Sequence, residues 1–383
     1  MNVLDDYKNA GCGIDNLKKA LEEIDNATKT LIVSGLETEL LSPAPASRKV
    51  NNLAKPGSIP CFVITPAFLD EFESGNGLHL AHLSESHFTS EVLSEIKENN
   101  ELILYLKDEP FVVSNKAIAK LGRFARSTGD INSKNSLVRN LNFATGLYRF
   151  NDKMTLIYRT EDLPSGNREN KIFAFASTKF SVFRQADMLP LVKKMTEAGA
   201  SHVEYEIRQI LTHVTVKYHE GPLSPEIIFK SSSVGEASFS ASVNCVIPGG
   251  GEILVKQVAC ENSEEFGDYL RDLVNECRII TVKDIEKLKT VQFNKREDVL
   301  EHASHLFRGF TMIAEASGTL KRSLTEKAEK LIKDRNSATL QELFFLTVNT
   351  MFSETNNNFR KRANSAEAAK ILLYASLPAY HLN

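Results

Sequence analysis

The chain has 383 residues, 42% of them hydrophobic and 25% charged, with 46 Lys+Arg against 49 Asp+Glu and a formal net charge of −3. This is a globular profile, long enough for two units of typical domain size, and no apolar run approaches the roughly 18 to 20 residues that a membrane-spanning helix requires. The opening MNVLDDYKNAGCGIDNLKK is acidic rather than basic-then-apolar, so no secretory signal is read and a cytoplasmic address is expected.

The first predicted element is a helix. Ile14, Leu17, Leu21 and Ile24 return at three- and four-residue steps and so share a face. LIVSGLETELL (31–41) reads as extended, and residues 42–60, with four prolines and little apolar content, read as a loop or arm. Thr65-Pro66 opens a short predicted helix, SEVLSEIKEN (90–99) a second, and ELILYL (101–106) and Phe111-Val112-Val113 are strand-like. Ser114 is expected to cap a helix with Ile118, Leu121, Phe124 and Ala125 on one side and Lys116, Lys120, Arg123 and Arg126 on the other.

From Met154 the period becomes strand-like. MTLIYRT and KIFAFAST flank a turn at 162–167, with Ile172, Ala174 and Ala176 expected on one face and Phe173, Phe175 and Ser177 on the other. Residues 186–200 predict a helix ending at Gly199. Further strands follow in HVEYEIRQILTHVTVKYHE, EIIFKS, EASFSASVNCVI and EILVKQVAC, with Val203, Tyr205 and Ile207 facing inward. Beyond about residue 262 the pattern is helical. The expected fold is α+β, a mostly antiparallel sheet core with flanking helices, divided into an acidic region 1–109 with its arm at 42–60, a core 110–262 and a helical region 263–383.

Chemical signatures are sparse. Five cysteines without a C-x-x-C pair point to reduced thiols rather than a disulfide frame or zinc knuckle. His79, His82 and His87, with Cys61 or Glu85, would be needed for a metal-dependent hydrolase, although their spacing matches no zinc signature and solvated histidines are the default. Glu301, His302 and His305 lack the spacing of the His-Glu-x-x-His zinc helix. SSSVGEAS (231–238) and PGGGE (248–252) lack the context of phosphate-binding loops and read as strand connections. Cys245 and Cys260 sit in strands as small hydrophobes, and no catalytic residue, metal site or cofactor is assigned.

Charge placement says more. Residues 1–109 carry 9 Lys+Arg and 18 Asp+Glu, net −9, whereas residues 110–200 carry 15 and 7, net +8. In the basic segment Lys116, Lys120, Arg123, Arg126, Lys134 and Arg139 precede strands holding Arg159, Lys171, Phe173, Phe175, Lys179, Phe180 and Arg184, so cations alternate with aromatics. Phosphates need the cations and unstacked bases need aromatic faces, the pairing used by single-strand binders. A plain alternative is a solvated surface over a Phe core, or neutralisation by the acidic segment.

The succession FVVSNKAIAKLGRFA, MTLIYR, KIFAFASTKF leading into QADMLPLVKKM, and IIFKSSSVGEASFSASVNCV resembles the phage/plasmid-like protein family described as domain of unknown function 932, over roughly residues 110–260. Phe180 stands where that family tends to have Tyr, Ser231-Ser232 where Asn-Ser is usual, and the run after Cys245 departs from the customary Asn-Gly. The resemblance implies a product of phages, plasmids or integrated elements with a role in DNA metabolism, and assigns no catalytic residue. The expectation is a single-stranded nucleic-acid-binding accessory protein of the annealing or recombination type, homo-oligomeric and without membrane contact. The alternative is a self-assembling phage structural protein whose acidic and basic segments meet between copies.

Overall fold

Alternating apolar residues sort most strands into two large sheets, beside a two-residue pairing of Gln292–Phe293 with Ala338–Thr339, in a computed structural model that describes residues 7–44, 55–65, 67, 79–99, 102–130, 136–218, 223–260, 264–314, 317–355 and 358–377. The short helix expected at Thr65-Pro66, most of the 42–60 arm and Lys134 lie outside the described residues. The eight-stranded sheet runs β2 (Thr28–Val33), β8 (Met154–Asp162), β9 (Arg168–Ser177), β7 (Glu109–Val113), β6 (Ile103–Leu106), β3 (Glu39–Pro43), β4 (Ser58–Ile64), β5 (His79–Ser84). Its neighbours are antiparallel except β7 and β9, which run parallel with Phe111 beside Asn170. The second sheet is antiparallel throughout, in the order β1 (Lys8–Cys12), β10 (His202–Arg208), β11 (Thr212–Lys217), β12 (Ser224–Ser231), β13 (Ser240–Val246), β14 (Glu252–Ala259). The architecture is α+β with a helical C-terminal part.

Helix α1 (Ile14–Ala27) buries Leu17, Ala20, Leu21 and Ile24, the stripe its periodicity predicts. On the eight-stranded sheet, α3 (Asn115–Phe124) and α4 (Ser136–Phe150) cover one face, where Ile118, Leu121, Phe143 and Leu147 meet Leu156, Ile172 and Phe175. Helix α2 (Ser90–Asn99) covers part of the other, setting Val92 and Ile96 against Cys61, Ile103 and Val112. The remainder of that face, Ile157, Phe173 and Ala174, joins the core of the six-stranded sheet, together with α1 and α5 (Leu189–Glu197).

The same core takes in α6 (Glu264–Leu288), α7 (Arg296–Thr311), α8 (Gly318–Arg335), α9 (Leu340–Phe352) and α10 (Phe359–Ser376). Helix α6 is one continuous element of 25 residues. Strands from residues 1–109 are built into both sheets beside strands from 110–262, and the helices of 263–383 follow in succession. β1 pairs with β10, β2 with β8, and the C-terminal helices share a core with the six-stranded sheet.

The β8–β9 ladder corrects the expected facing of KIFAFAST. Ile157 pairs with Ala174 but Tyr158 pairs with Ile172, so Phe173 is an extra residue in the strand. A bulge of this kind breaks the two-residue alternation. Ile172 and Phe175 therefore share one core, and Phe173 and Ala174 the other.

Ser114 behaves as its sequence predicts. Its hydroxyl accepts from the Ala117 amide at 3.4 Å, and its own amide donates to the Ile172 carbonyl at 3.0 Å, tying the start of α3 to β9. Ser114→Ala removes this cap and leaves the Ala117 amide with the Ser114 carbonyl alone, at 2.9 Å, and is expected to cost about 0.5–1 kcal/mol, read from the urea midpoint. A change under a few tenths of a kcal/mol would show that the cap is dispensable.

Candidate functional site

Three chain segments that are distant in sequence converge beyond the end of β9. Lys120, Arg123 and Phe124 come from α3, Ser177 and Phe180 from the end of β9 and its following turn, and Val234 and Gly235 from the turn after β12, and together they line an open groove of about 420 Å³. These are the FVVSNKAIAKLGRFA, KIFAFASTKF and IIFKSSSVGEAS stretches on which the family resemblance rests.

The turn after β12 is braced from within. The Ser232 hydroxyl accepts from the amides of Val234 (3.3 Å) and Glu236 (3.0 Å), and Gly235 takes φ +74, a left-handed value that favours glycine. A side chain there would also collide with the Phe180 ring, which lies 2.7 Å from where a Cβ would stand. Gly235 thus makes room for the tip of the Phe180 ring against the turn while 39% of that residue stays exposed.

Beneath the groove, Arg159 ties the two sheets together. It is 0% exposed, donates from Nε to Thr28 Oγ1 (3.2 Å) and from NH2 to Ser233 Oγ (2.9 Å), and its guanidinium lies 4.8 Å from the Phe173 ring centre. Burial pushes its pKa down to about 10, still far above neutrality. Ser231 bonds to Gln185 Oε1 at 2.5 Å, and Asp25 accepts the amides of Gln185 and Ala186. Burial raises the Asp25 pKa, against those two bonds.

The cations expected to bind nucleic acid divide by burial. Lys116, Arg123, Arg126, Lys179 and Arg184 are exposed and Lys120 is half-buried. Lys120 pairs with Glu236 at 2.7 Å, and Arg126 with Asp152 at 3.4 Å while lying 3.8 Å over the Phe150 ring. Among the described residues, Lys116, Arg123, Lys179 and Arg184 carry no ion pair.

Five expected contacts are withdrawn into the interior. Phe173 and Phe175 are 2% and 3% exposed, because both faces of β9 are covered, so neither ring can stack on a base. Lys171 is buried and bonds to Glu95 at 2.9 Å, a neutralisation by the acidic first segment. Arg139 lies on the buried face of α4, donating to Asn140 Oδ1 at 3.1 Å, and Arg159 is the internal tie described above. Phe180 replaces Phe173 and Phe175 as the aromatic surface.

The histidine group does not assemble. His79 and His82 stand three apart on β5, so strand alternation sends them to opposite faces, and Cys61 is buried with its thiol pushed up to about 12. Among the described residues no group of three His, Cys, Asp or Glu is placed to hold a metal ion. PGGG is a hairpin turn docked on α9, where Asn349 accepts from the Gly251 amide and donates to the Pro248 carbonyl. The five cysteines are free, and no described helix is long and apolar enough to cross a membrane.

Sequence reasoning missed a second polar constellation on the outer face of the six-stranded sheet. Glu226 and Glu252 are buried, Arg362 of α10 reaches both, at 2.7 Å to Glu226, and Asn244 Nδ2 donates to Glu252 at 2.9 Å. The available signal was a glutamate opening two otherwise apolar strands, EIIF and EILV. No family model, curated protein or solved structure matches the chain.

Proposed function

We propose that the groove beyond β9 binds single-stranded nucleic acid, and that the protein is a non-catalytic accessory factor of annealing or recombination serving a phage or plasmid. The observation that carries this reading is the exposed Phe180 ring held over Gly235 in a groove walled by Lys120 and Arg123. A ring fixed by a glycine turn offers a base a stacking surface with little ordering cost. The unpaired Lys116, Arg123 and Lys179 supply the charge that attracts a phosphate backbone whatever its sequence. Spacing puts Lys116, Lys120 and Arg123 on one side of α3, so a strand crossing that helix meets successive cations.

Labelled oligonucleotide binding tests this directly. Log affinity is expected to fall linearly with log salt, with a slope of about −2 to −3 for three or four phosphates neutralised on a single strand. Phe180→Ala removes the stacking surface and is expected to weaken binding by about 1–3 kcal/mol with little change in slope. Arg123→Glu with Lys116→Glu should flatten the slope. No retardation at low salt, or equal affinity in all variants, overturns the reading.

A second reading, self-assembly, is favoured by one observation. β2 is an edge strand on which Ile32 is 57% exposed, so backbone and apolar surface are open together. Mass measurement without nucleic acid separates the two. Large particles that persist in high salt favour apolar edge pairing, whereas a small species that assembles only on an oligonucleotide favours the groove.

A further inference from the structure

The N-terminal half of α10 roofs one end of the outer face of the six-stranded sheet and leaves a cleft of about 210 Å³ beneath it. Its floor is Ile228, Ser242, Asn244 and Leu254, with His213 behind, and its mouth carries Lys230 and Arg360. The cleft is separate from the groove by β9 and shares no lining residue with it.

Two features mark this cleft, cations without their counterpart at its mouth and a buried histidine at its back. Helix α10 opens with Arg360, Lys361 and Arg362 and has no acidic residue in its first turn. Unpaired amides give a helix N-terminus partial positive charge, so cations there are unfavourable unless an anion sits beside them. Arg362 has its anions in Glu226 and Glu252. Arg360 and Lys230 have no ion-pair partner among the described residues, and Glu367 is the one carboxylate lining the cleft.

The second feature is His213, buried at the back of the cleft. Burial, and then the charges of Lys230, Arg208 and Arg362, push its pKa down to about 3. Of these, Arg208 is already paired with Glu206, and Arg362 with the two buried glutamates. The imidazole is therefore neutral, chiefly through burial, and of the three cations Lys230 alone carries no ion pair among the described residues.

We propose that this cleft binds a small phosphomonoester, with its dianionic head on Lys230 and Arg360 and its organic body over Ile228 and Leu254. A tetrahedral dianion offers acceptor atoms to both cations and to the Ser240 and Ser242 hydroxyls at once, where a carboxylate brings one charge and two oxygens. The volume corresponds to about seven water molecules, room for a sugar phosphate and not for a polynucleotide.

Histidine Cε1 proton resonances of the full chain, with His213→Gln identifying the relevant signal, give the readout. Glucose phosphate is the probe, and inorganic phosphate and glucose are its two halves. Glucose phosphate is expected to shift the His213 signal saturably and to raise its pKa, with inorganic phosphate weaker and glucose inert. Lys230→Ala and Arg360→Ala alter exposed side chains, so the fold is expected to survive, and each should weaken binding by about tenfold or more. No shift with millimolar glucose phosphate, an equal response to glucose, or unchanged affinity in both variants overturns the proposal. Oligonucleotide binding by the same variants reports on the groove alone, so the two proposals fail separately.

Discussion

Arg362→Ala is expected to destabilise the protein by about 3–5 kcal/mol at neutral pH, because it strands a carboxylate charge in a site built around the guanidinium. Glu226 and Glu252 lie under α10, and Arg362 is the cation that both share. Burial, followed by the neighbouring Glu226 charge, pushes Glu252 up to about 8, against the pull of Arg362. Between the ordinary carboxylate value of 4.5 and about 8 the folded chain therefore holds a proton that the unfolded chain has released. Stability falls across that window as pH rises, and the fall stops above it.

Two consequences can be measured in urea or thermal unfolding. The loss in Arg362→Ala should be smaller near pH 5, where Glu252 holds its proton, than near pH 8, where it releases it. Glu252→Gln keeps an acceptor for Arg362 and removes the titration, so this variant should lose the downward slope, and combined with Arg362→Ala it should recover part of the lost stability. Equal losses at both pH values would show that Arg362 acts through packing alone.

Gly146→Ala is the second large effect, expected to cost about 3 kcal/mol although alanine is the better helix former. A Cβ at Gly146 would stand 1.9 Å from the Ala125 carbonyl oxygen and 2.7 Å from its carbon, both backbone atoms that no rotamer change can move aside. On the next residue of α4, the Leu147 carbonyl lies 2.0 Å from where a Gly35 Cβ would be. One turn of α4 is thus gripped from both sides. Gly129→Ala is the control, since nothing lies within 4 Å of its added methyl, and should change the urea midpoint little. If Gly146→Ala proves neutral, α3 and α4 can separate freely, and the placement of Lys120 and Arg123 is softer than the close packing implies.

Elements with one covered face were legible in the chain. The alternation of Val203, Tyr205 and Ile207, the stripe of α1 and the Ser114 cap all follow from a period that water on the other side makes visible. β9 was harder because both of its faces are covered, so apolar residues run on without a polar partner to mark the parity, and nothing local announces the extra residue at Phe173. α4 went unread because its buried side includes Arg139 and Asn140, whose hydrogen bonds substitute for apolar character.

For the groove, helical spacing was enough to collect Lys116, Lys120 and Arg123. Burial was not readable, which is why Lys171, Arg159 and the two inner phenylalanines were counted as surface. The cluster of Glu226, Glu252 and Arg362 depends on residues more than a hundred apart in the chain, and periodicity carries no information about such pairings.

β1 and β2 flank a single helix, yet each completes the edge of a different sheet. During synthesis these strands leave the ribosome long before their partners, since β2 must wait for β8 and β1 for β10. Both pairings therefore close over long loops, and the nascent chain carries two unmatched strands until first β8 and then β10 emerge. Shortening the amino terminus would reopen both at once, so expression of such truncations should depend on chaperone supply far more than expression of the intact chain.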